Sequence, residues 1–194
     1  MARTQAADYE ARREAMLDRA AELFARAGFQ GASMADLAAA CNVSKSLLYH
    51  YFPSKEDVLY EVMTSHLDQL VSDVSEVVAS NRSDSDKVAD LIHAFMRHYV
   101  GAADRQKVLL NELNNLPGDR RAEVVGKQRS IIDAMQALLG KLPGSPPSGP
   151  RLRAHTMLLF GMINWTHTWY DPAGPIAPDA LADMVAGLIR RPAK

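Results

Sequence analysis

The chain has 194 residues, 47% of them hydrophobic, with 22 lysines and arginines against 23 aspartates and glutamates and a formal net charge of −1. That is enough apolar material for a sizeable core in one or two domains, and the balanced charge does not by itself announce a nucleic-acid binder. No apolar run approaches the eighteen or so residues of a membrane span, the N-terminus lacks the apolar core of a secretory signal, and the single cysteine, Cys41, has no internal disulfide partner, so a cytoplasmic protein without membrane spans is expected.

Apolar residues recur at spacings of three and four almost throughout, and no alternating stretch bounded by turn residues reads as a strand, so the fold class is all-α. A first helix is predicted over 9–27, burying Met16, Leu17, Ala20, Leu23, Phe24 and Ala27, with Gly28 as its left-handed cap. Ser33 caps a short helix to about residue 40. Cys41, Asn42 and Val43 form a turn in which Asn42 takes a positive φ, and Ser44 caps a second short helix ending at Tyr51. Helices this brief depend on packing against the first, which is the helix-turn-helix plan. Pro53 stops the second short helix. Ser54 then caps the next helix and Asp57 supplies the returning acid of a capping box.

That helix carries Leu59, Val62, Met63, Leu67, Leu70, Val71, Val74 and Val78 through about residue 80, a length of roughly 38 Å that would reach from a small head into a second domain. Further helices are expected over 83–100, 104–116, 119–139, 151–170 and 178–190, about nine in all, with a Pro- and Gly-rich loop over 141–150. The expected division is a three-helix DNA-binding head over 1–55 and a helical ligand-binding and dimerisation domain over 56–194.

Within residues 1–62 there are seven basic side chains and nine acidic ones, so the head as a whole is not positive. The field that matters is local. From Leu37 to Lys55 there is no acid, and Lys45, His50 and Lys55 are interleaved with Ser44, Ser46, Tyr49, Tyr51 and Ser54. Leu37, Val43, Leu48 and Phe52 read as core of the head, and Tyr51 as a packed aromatic.

The run from Ala20 to Ala38, followed by Val43 to Leu59, resembles the N-terminal signature of the TetR family without a gap. The resemblance implies a dimeric transcriptional regulator, a repressor in the usual case, binding palindromic double-stranded operator DNA and released by a small molecule. Position by position it implies that Lys45, Ser46 and Leu47, at the exposed start of the recognition helix, reach bases or phosphates. It implies that Tyr49 and His50 touch the backbone or thymine methyls, and that Ser33 and Lys55 hold phosphates at the starts of the flanking helices. Ser44, as the cap of the recognition helix, joins this set. Free N–H groups and the positive end of the dipole suit helix starts to phosphate independently. Two departures are visible: Leu47 offers no hydrogen bond, and Tyr51 replaces a commoner histidine that is usually structural.

The helix over 151–170 is apolar nearly all round, with Met157, Leu158, Phe160, Ile163, Trp165 and Trp169, and must be covered on both sides. The last helix has a cleaner stripe of Leu181, Met184, Val185, Leu188 and Ile189. An intramolecular core would account for both. The family resemblance implies instead a homodimer through the last two helices, with recognition helices about 34 to 36 Å apart. Residues 160–174, followed by a helix starting near Pro178, resemble the same segment of TetR members that answer to acyl-CoA thioesters. An effector such as a phenylacetyl- or fatty acyl-CoA is the expectation.

Asn164, Trp165, Trp169 and Tyr170 offer stacking surface and polar tips. Arg120, Arg121 and Arg151, with Arg153, Lys127 and Arg129, suit CoA phosphates, and Met63 and Met96, with Met135 and Met162, suit an adaptable apolar pocket. Against this, tryptophan and methionine stripes are more often core and arginine runs are usually solvated. His93, Asn111, Glu112 and Gln128 are second-rank pocket candidates.

Two other classes remain to be weighed. The six histidines show no metal-binding spacing, and there is no glycine-rich phosphate loop or serine elbow, so neither an enzyme nor a cofactor is expected. A helical protein-interaction module without DNA binding is the remaining alternative, against which Lys45, Tyr49, His50 and Lys55 argue.

Overall fold

The computed structural model describes residues 2–146 and 148–190, with side chains from residue 7 to residue 189. Among the described residues there are nine α-helices and no strand. In chain order they are α1 (Ala2–Gly31), α2 (Met34–Ala40), α3 (Lys45–Tyr51), α4 (Lys55–Ala79), α5 (Asp84–Gly101), α6 (Ala103–Asn111), α7 (Gly118–Leu139), α8 (Gly149–Asn164) and α9 (Pro178–Arg190). The all-α expectation holds. No helix of the described residues is long and apolar enough to cross a membrane. Residue 147, inside the expected loop, lies outside the described residues.

The chain forms two compact units, one of Met1–His66 with Asp104–Val124, the other of Leu67–Ala103 with Val125–Lys194. Helix α4 runs unbroken through both, belonging to the first as far as His66 and to the second from Leu67.

In the first unit α1 supplies the scaffold. Met16, Leu17, Ala20, Phe24 and Phe29 are buried with Leu37 of α2, Leu48 of α3, Phe52 and the face Val58, Leu59, Val62, Met63 of α4. The glycine expected to cap α1 interrupts it differently: Gly28 has φ 73 and ψ 159, outside the left-handed helical well, so the chain turns sharply and a last turn ends at Gly31. Helix α6 packs here too. Its Arg105 is only 5% exposed and donates from Nε to Asp18 at 2.9 Å and from Nη2 to Glu14 at 2.9 Å, both on α1. A further bond joins it to Ser65 of α4. Beside it Gln106 and His66 share a buried hydrogen bond of 2.9 Å.

The second unit buries Val88, Leu91, Ile92, Phe95 and Met96 of α5 against Leu181, Val185 and Ile189 of α9 and Leu159, Phe160 and Ile163 of α8. The rings of Phe95 and Phe160 lie 5.8 Å apart. His93 bonds Asp183 at 2.9 Å and approaches Asp179 at 3.4 Å, tying α5 to α9.

Two expected helices end early. The one predicted over 104–116 breaks after Asn111: Asn115 donates to Glu112 Oε2 at 2.7 Å, residues Leu113–Asn115 tighten to a 3₁₀ turn, and Pro117 follows. The one predicted to Tyr170 tightens at Trp165. There Thr166, His167 and Thr168 each bond the carbonyl three residues back, at 2.7, 2.6 and 2.8 Å.

A Cβ at Gly28 would meet nothing nearer than Glu112 Oε1 at 3.6 Å. Gly28→Ala should therefore fit sterically and still destabilise the protein by roughly 2 kcal/mol through backbone strain alone. A thermal melt matching the parent would show that the turn is not obligatory.

Candidate nucleic-acid interface

Helices α2 and α3 have seven residues each, and their starts are built to hold them. Ser33 Oγ accepts from Asp36 N–H at 3.2 Å while Asp36 Oδ2 accepts from Ser33 N–H at 2.9 Å, a complete capping box. The Ser33 hydrogen bonds hold the Asp36 carboxyl below the usual carboxylate range, and the charge of Lys45 adds to this. Asn42, at φ 53, makes the turn, as expected from its sequence position. Ser44 Oγ accepts from Leu47 N–H at 3.1 Å to start α3. Leu48 points into the core and fixes the helix face. What remains outward is Lys45, Ser46, Tyr49 at 50% exposure, and His50, with Leu47 half-buried.

The eight residues picked from sequence thus separate by what their polar atoms do. Lys45, Ser46, Tyr49 and His50 share the exposed side of α3. Ser33 and Ser44 are exposed, but their hydroxyls already serve helix starts, which leaves backbone N–H groups and the remaining hydroxyl capacity for an anion. Lys55 departs most from expectation. Its Nζ donates to the carbonyls of Phe29 and Ala32 at 2.8 Å each and lies 4.2 Å from the centre of the Phe29 ring. The ammonium serves two main-chain carbonyls of the segment after the Gly28 turn, of which Phe29 O also accepts from Ala32 N–H at 3.4 Å. A helix start disfavours a cation through its dipole, and the structural role of Lys55 comes instead from another helix.

The start of α4 is closed by Ser54, whose Oγ accepts from Asp57 N–H at 3.1 Å and donates to Asp57 Oδ2 at 2.5 Å. Burial works to raise the Asp57 carboxyl, but hydrogen bonds from Ser54 and Arg120 outweigh it and hold it below the usual range.

The residues suggested for an effector pocket are divided between the two units. Met63, Arg120 and Arg121 fall in the first unit; Met96, Arg151, Asn164, Trp165, Trp169 and Tyr170 fall in the second. Met63 and Met96 are fully packed core. Arg120 pairs with Asp57 and lies over the Tyr60 ring at 5.0 Å, while Arg121 and Arg151 are exposed. Tyr170, with Tyr99, Val100, Ala103, Thr166, His167 and Pro172, lines a cavity of about 70 Å³, and its hydroxyl donates to Ile176 O at 2.8 Å.

A larger groove of about 440 Å³ between α4 and α5 in the second unit is charged, lined by Asp73, Glu76, Asp90, His93 and Arg97 with Val77 and Ala94. Trp165 and Trp169 are 64% and 57% exposed. Trp165 continues a stripe of Ala154, Met157, Leu158 and Gly161 along the open side of α8, and α9 shows a matching one of Ala180, Met184, Gly187 and Leu188. The sequence reading missed Arg105 as a link to α1. The signal was a lone arginine three and four residues before the apolar pair Val108 and Leu109, but nothing in the sequence names its partners.

Residues 16–62 match the family described as bacterial regulatory proteins, tetR family, and residues 81–192 match the tetracyclin repressor-like C-terminal domain. A crystal structure of a TetR-family transcriptional regulator from Bordetella parapertussis 12822 is 40% identical, covering 91% of this chain and 93% of that one, with a TM-score of 0.85. The HTH-type transcriptional repressor KstR2 of Rhodococcus jostii is 25% identical over 92% of this chain and 89% of its own length. The structure of AibR in complex with isovaleryl coenzyme A and operator DNA has the same fold, with a TM-score of 0.80 at 24% identity, over 94% of this chain and all of that one.

Lys55→Met should remove two charge-assisted hydrogen bonds to main-chain carbonyls and lower stability by about 2 kcal/mol. Lys45→Met should leave the melting temperature within about one degree of the parent, since substitutions on an exposed surface cost little. Equal melts for the two variants would show that Lys55 is not structural.

Proposed function

This chain belongs to the TetR family of bacterial regulatory proteins, and on that basis we propose that it is a dimeric repressor whose α3 reads the major groove of a palindromic operator and whose second unit binds the small molecule that releases it. The family and its relatives make it a DNA-binding transcriptional regulator rather than an enzyme. The observation that carries the operator reading is the outward side of α3: Lys45, Ser46, Tyr49 and His50 are exposed together on a rigidly capped helix with no acid among them. Lys45 serves phosphate, Ser46 and Leu47 meet base edges or a thymine methyl, and Tyr49 and His50 meet the backbone. Work on chromosomal DNA would place the protein in the cytoplasm.

The proposed dimer uses the open apolar stripes of α8 and α9. Leu158 at 67% exposure, Met184 and Leu188 have no reason to stand in water on a lone chain, and the glycines and alanines beside them allow close helix approach. Trp165 lies on the same stripe, so its role moves from the effector pocket, where the sequence suggested it, to the interface between copies. For the effector we favour an acyl-CoA thioester. The resemblance over residues 160–174 supports this, as does a fold that in AibR holds an acyl-CoA and operator DNA in one complex. The 70 Å³ cavity by Tyr170 is far below the roughly 300 Å³ at which ligand sites begin, so binding requires that region to open. Ligand then favours a conformation in which the two recognition helices no longer match successive major grooves.

The test is binding of the purified protein to labelled DNA from its own upstream region across a salt series. About six phosphate contacts give a log–log slope near −5, and Lys45→Ala should reduce it by about one. A slope near zero, or a variant that binds like the parent, would remove α3 from the interface. Adding acyl-CoA thioesters, with free CoA and free acids as controls, should release the DNA with one thioester class only; release by none would discard that effector. Leu158→Glu should halve the mass seen by sedimentation and weaken operator binding. A dimer that persists would place the interface elsewhere.

A further inference from the structure

We propose that Tyr9, outside every DNA-contacting position named above, is a positioning residue for the recognition helix, acting through Tyr51 on His50. The inference rests on the reading of α3 as the DNA-reading helix. Tyr9 lies on α1, and its ring stacks on that of Tyr51 with centroids 4.5 Å apart and planes 18° from parallel. Tyr51 in turn meets the His50 ring edge to face at 5.7 Å and 86°. The three rings form a row that begins on the scaffold helix and ends on an exposed side chain of α3.

The start of α3 is fixed by the Ser44 cap and its middle by Leu48, but its last turn has no cap of that kind. Two residues of α1 spaced four apart, and so on one face, hold that end. Arg13 lies 5.9 Å from the Phe52 ring centre and also pairs with Glu61 of α4, so it has a packing role whether or not DNA binds. Tyr9 is different. It is 38% exposed, and among the described residues its ring stacks on the half-buried Tyr51.

A surface tyrosine laid flat on another contributes little to a core. What it does is hold the Tyr51 ring in place, and the His50 ring rests against that ring. His50 therefore reaches DNA already oriented, and the rotamer entropy is lost on folding rather than on binding.

The experiment uses the full-length protein and a duplex selected by the parent from a random pool, with affinity read by fluorescence anisotropy and stability by thermal melt. Tyr9→Ala should weaken binding about fivefold, the scale of one side chain ordered on binding, and Tyr9→Phe, which keeps the stack, should stay within about twofold of the parent. In a His50→Ala background the Tyr9→Ala penalty should vanish, because the side chain being positioned is gone. All four variants should melt near the parent.

Parental affinity in Tyr9→Ala overturns the inference. So does a penalty that persists unchanged beside His50→Ala, or a Tyr9→Phe variant as weak as Tyr9→Ala, which would make the hydroxyl the contact. If the parent selects no duplex at all, the reading of α3 falls and this inference with it, an outcome distinct from a parent that binds while Tyr9→Ala binds equally.

Discussion

A seven-residue helix lies below the twelve to fifteen residues at which an isolated helix becomes even marginal in water, and both α2 and α3 have that length. The surface proposed to meet DNA can therefore exist only as an appendage of longer helices. Much of the first unit answers that constraint. Serine caps at positions 33 and 44 satisfy the N–H groups that a short helix has in excess, and Leu37 and Leu48 lock each helix face onto α1 and α4. A recognition helix held this firmly presents its side chains with little freedom left to lose, which favours binding that depends on a few polar groups.

The same constraint decides which charges are available. Lys45 and Lys55 look alike in sequence, each a lysine just after a capping serine. Lys45 has only solvent and the neighbouring Asp36 before it, whereas the Lys55 ammonium is held by two carbonyls where α1 ends. Their separation follows from Gly28: after the turn it makes, the Phe29 carbonyl has a long 3.4 Å bond from Ala32 N–H, and α4 begins close enough for the Lys55 ammonium to serve that carbonyl and the one of Ala32. A buried guanidinium on α6 imposes the analogous demand on Glu14 and Asp18 of α1. Two acids that make the head net negative in composition are thereby neutralised away from α3.

Much of this was legible. Caps, the Asn42 turn, the proline stop and the apolar periodicity are local signals, and α2, α3, α4 and α9 fall within a residue or two of where the sequence puts them. The sequence does not show which groups a side chain meets across the chain, and each surprise has that form. Lys55 and Arg105 turned out to have partners on α1. Glu112 breaks α6 through Asn115, a contact three residues away that periodicity counts as helix. The tightening at Trp165 comes from a run of threonines and a histidine bonding back onto the main chain, which an apolar pattern overrides on paper. The pocket residues were chosen by chemical type, and type alone does not distinguish a methionine in the core from one in a pocket.

The separation of Trp165 from Thr166 and Tyr170 follows from that tightening. An α-helix continued to Tyr170 would rotate each later side chain by about 100° per residue, carrying Trp169 round close to the face of Trp165. The 3₁₀ turn advances the chain faster and stops after Thr168, so Thr166 is buried while Trp165 stays on the Met157 and Leu158 stripe. One local hydrogen-bonding preference thus sorts a run of aromatic and polar residues. Trp165 goes to the surface that a second copy would cover, and Tyr170 to the cavity against Tyr99 and Val100 at the end of α5.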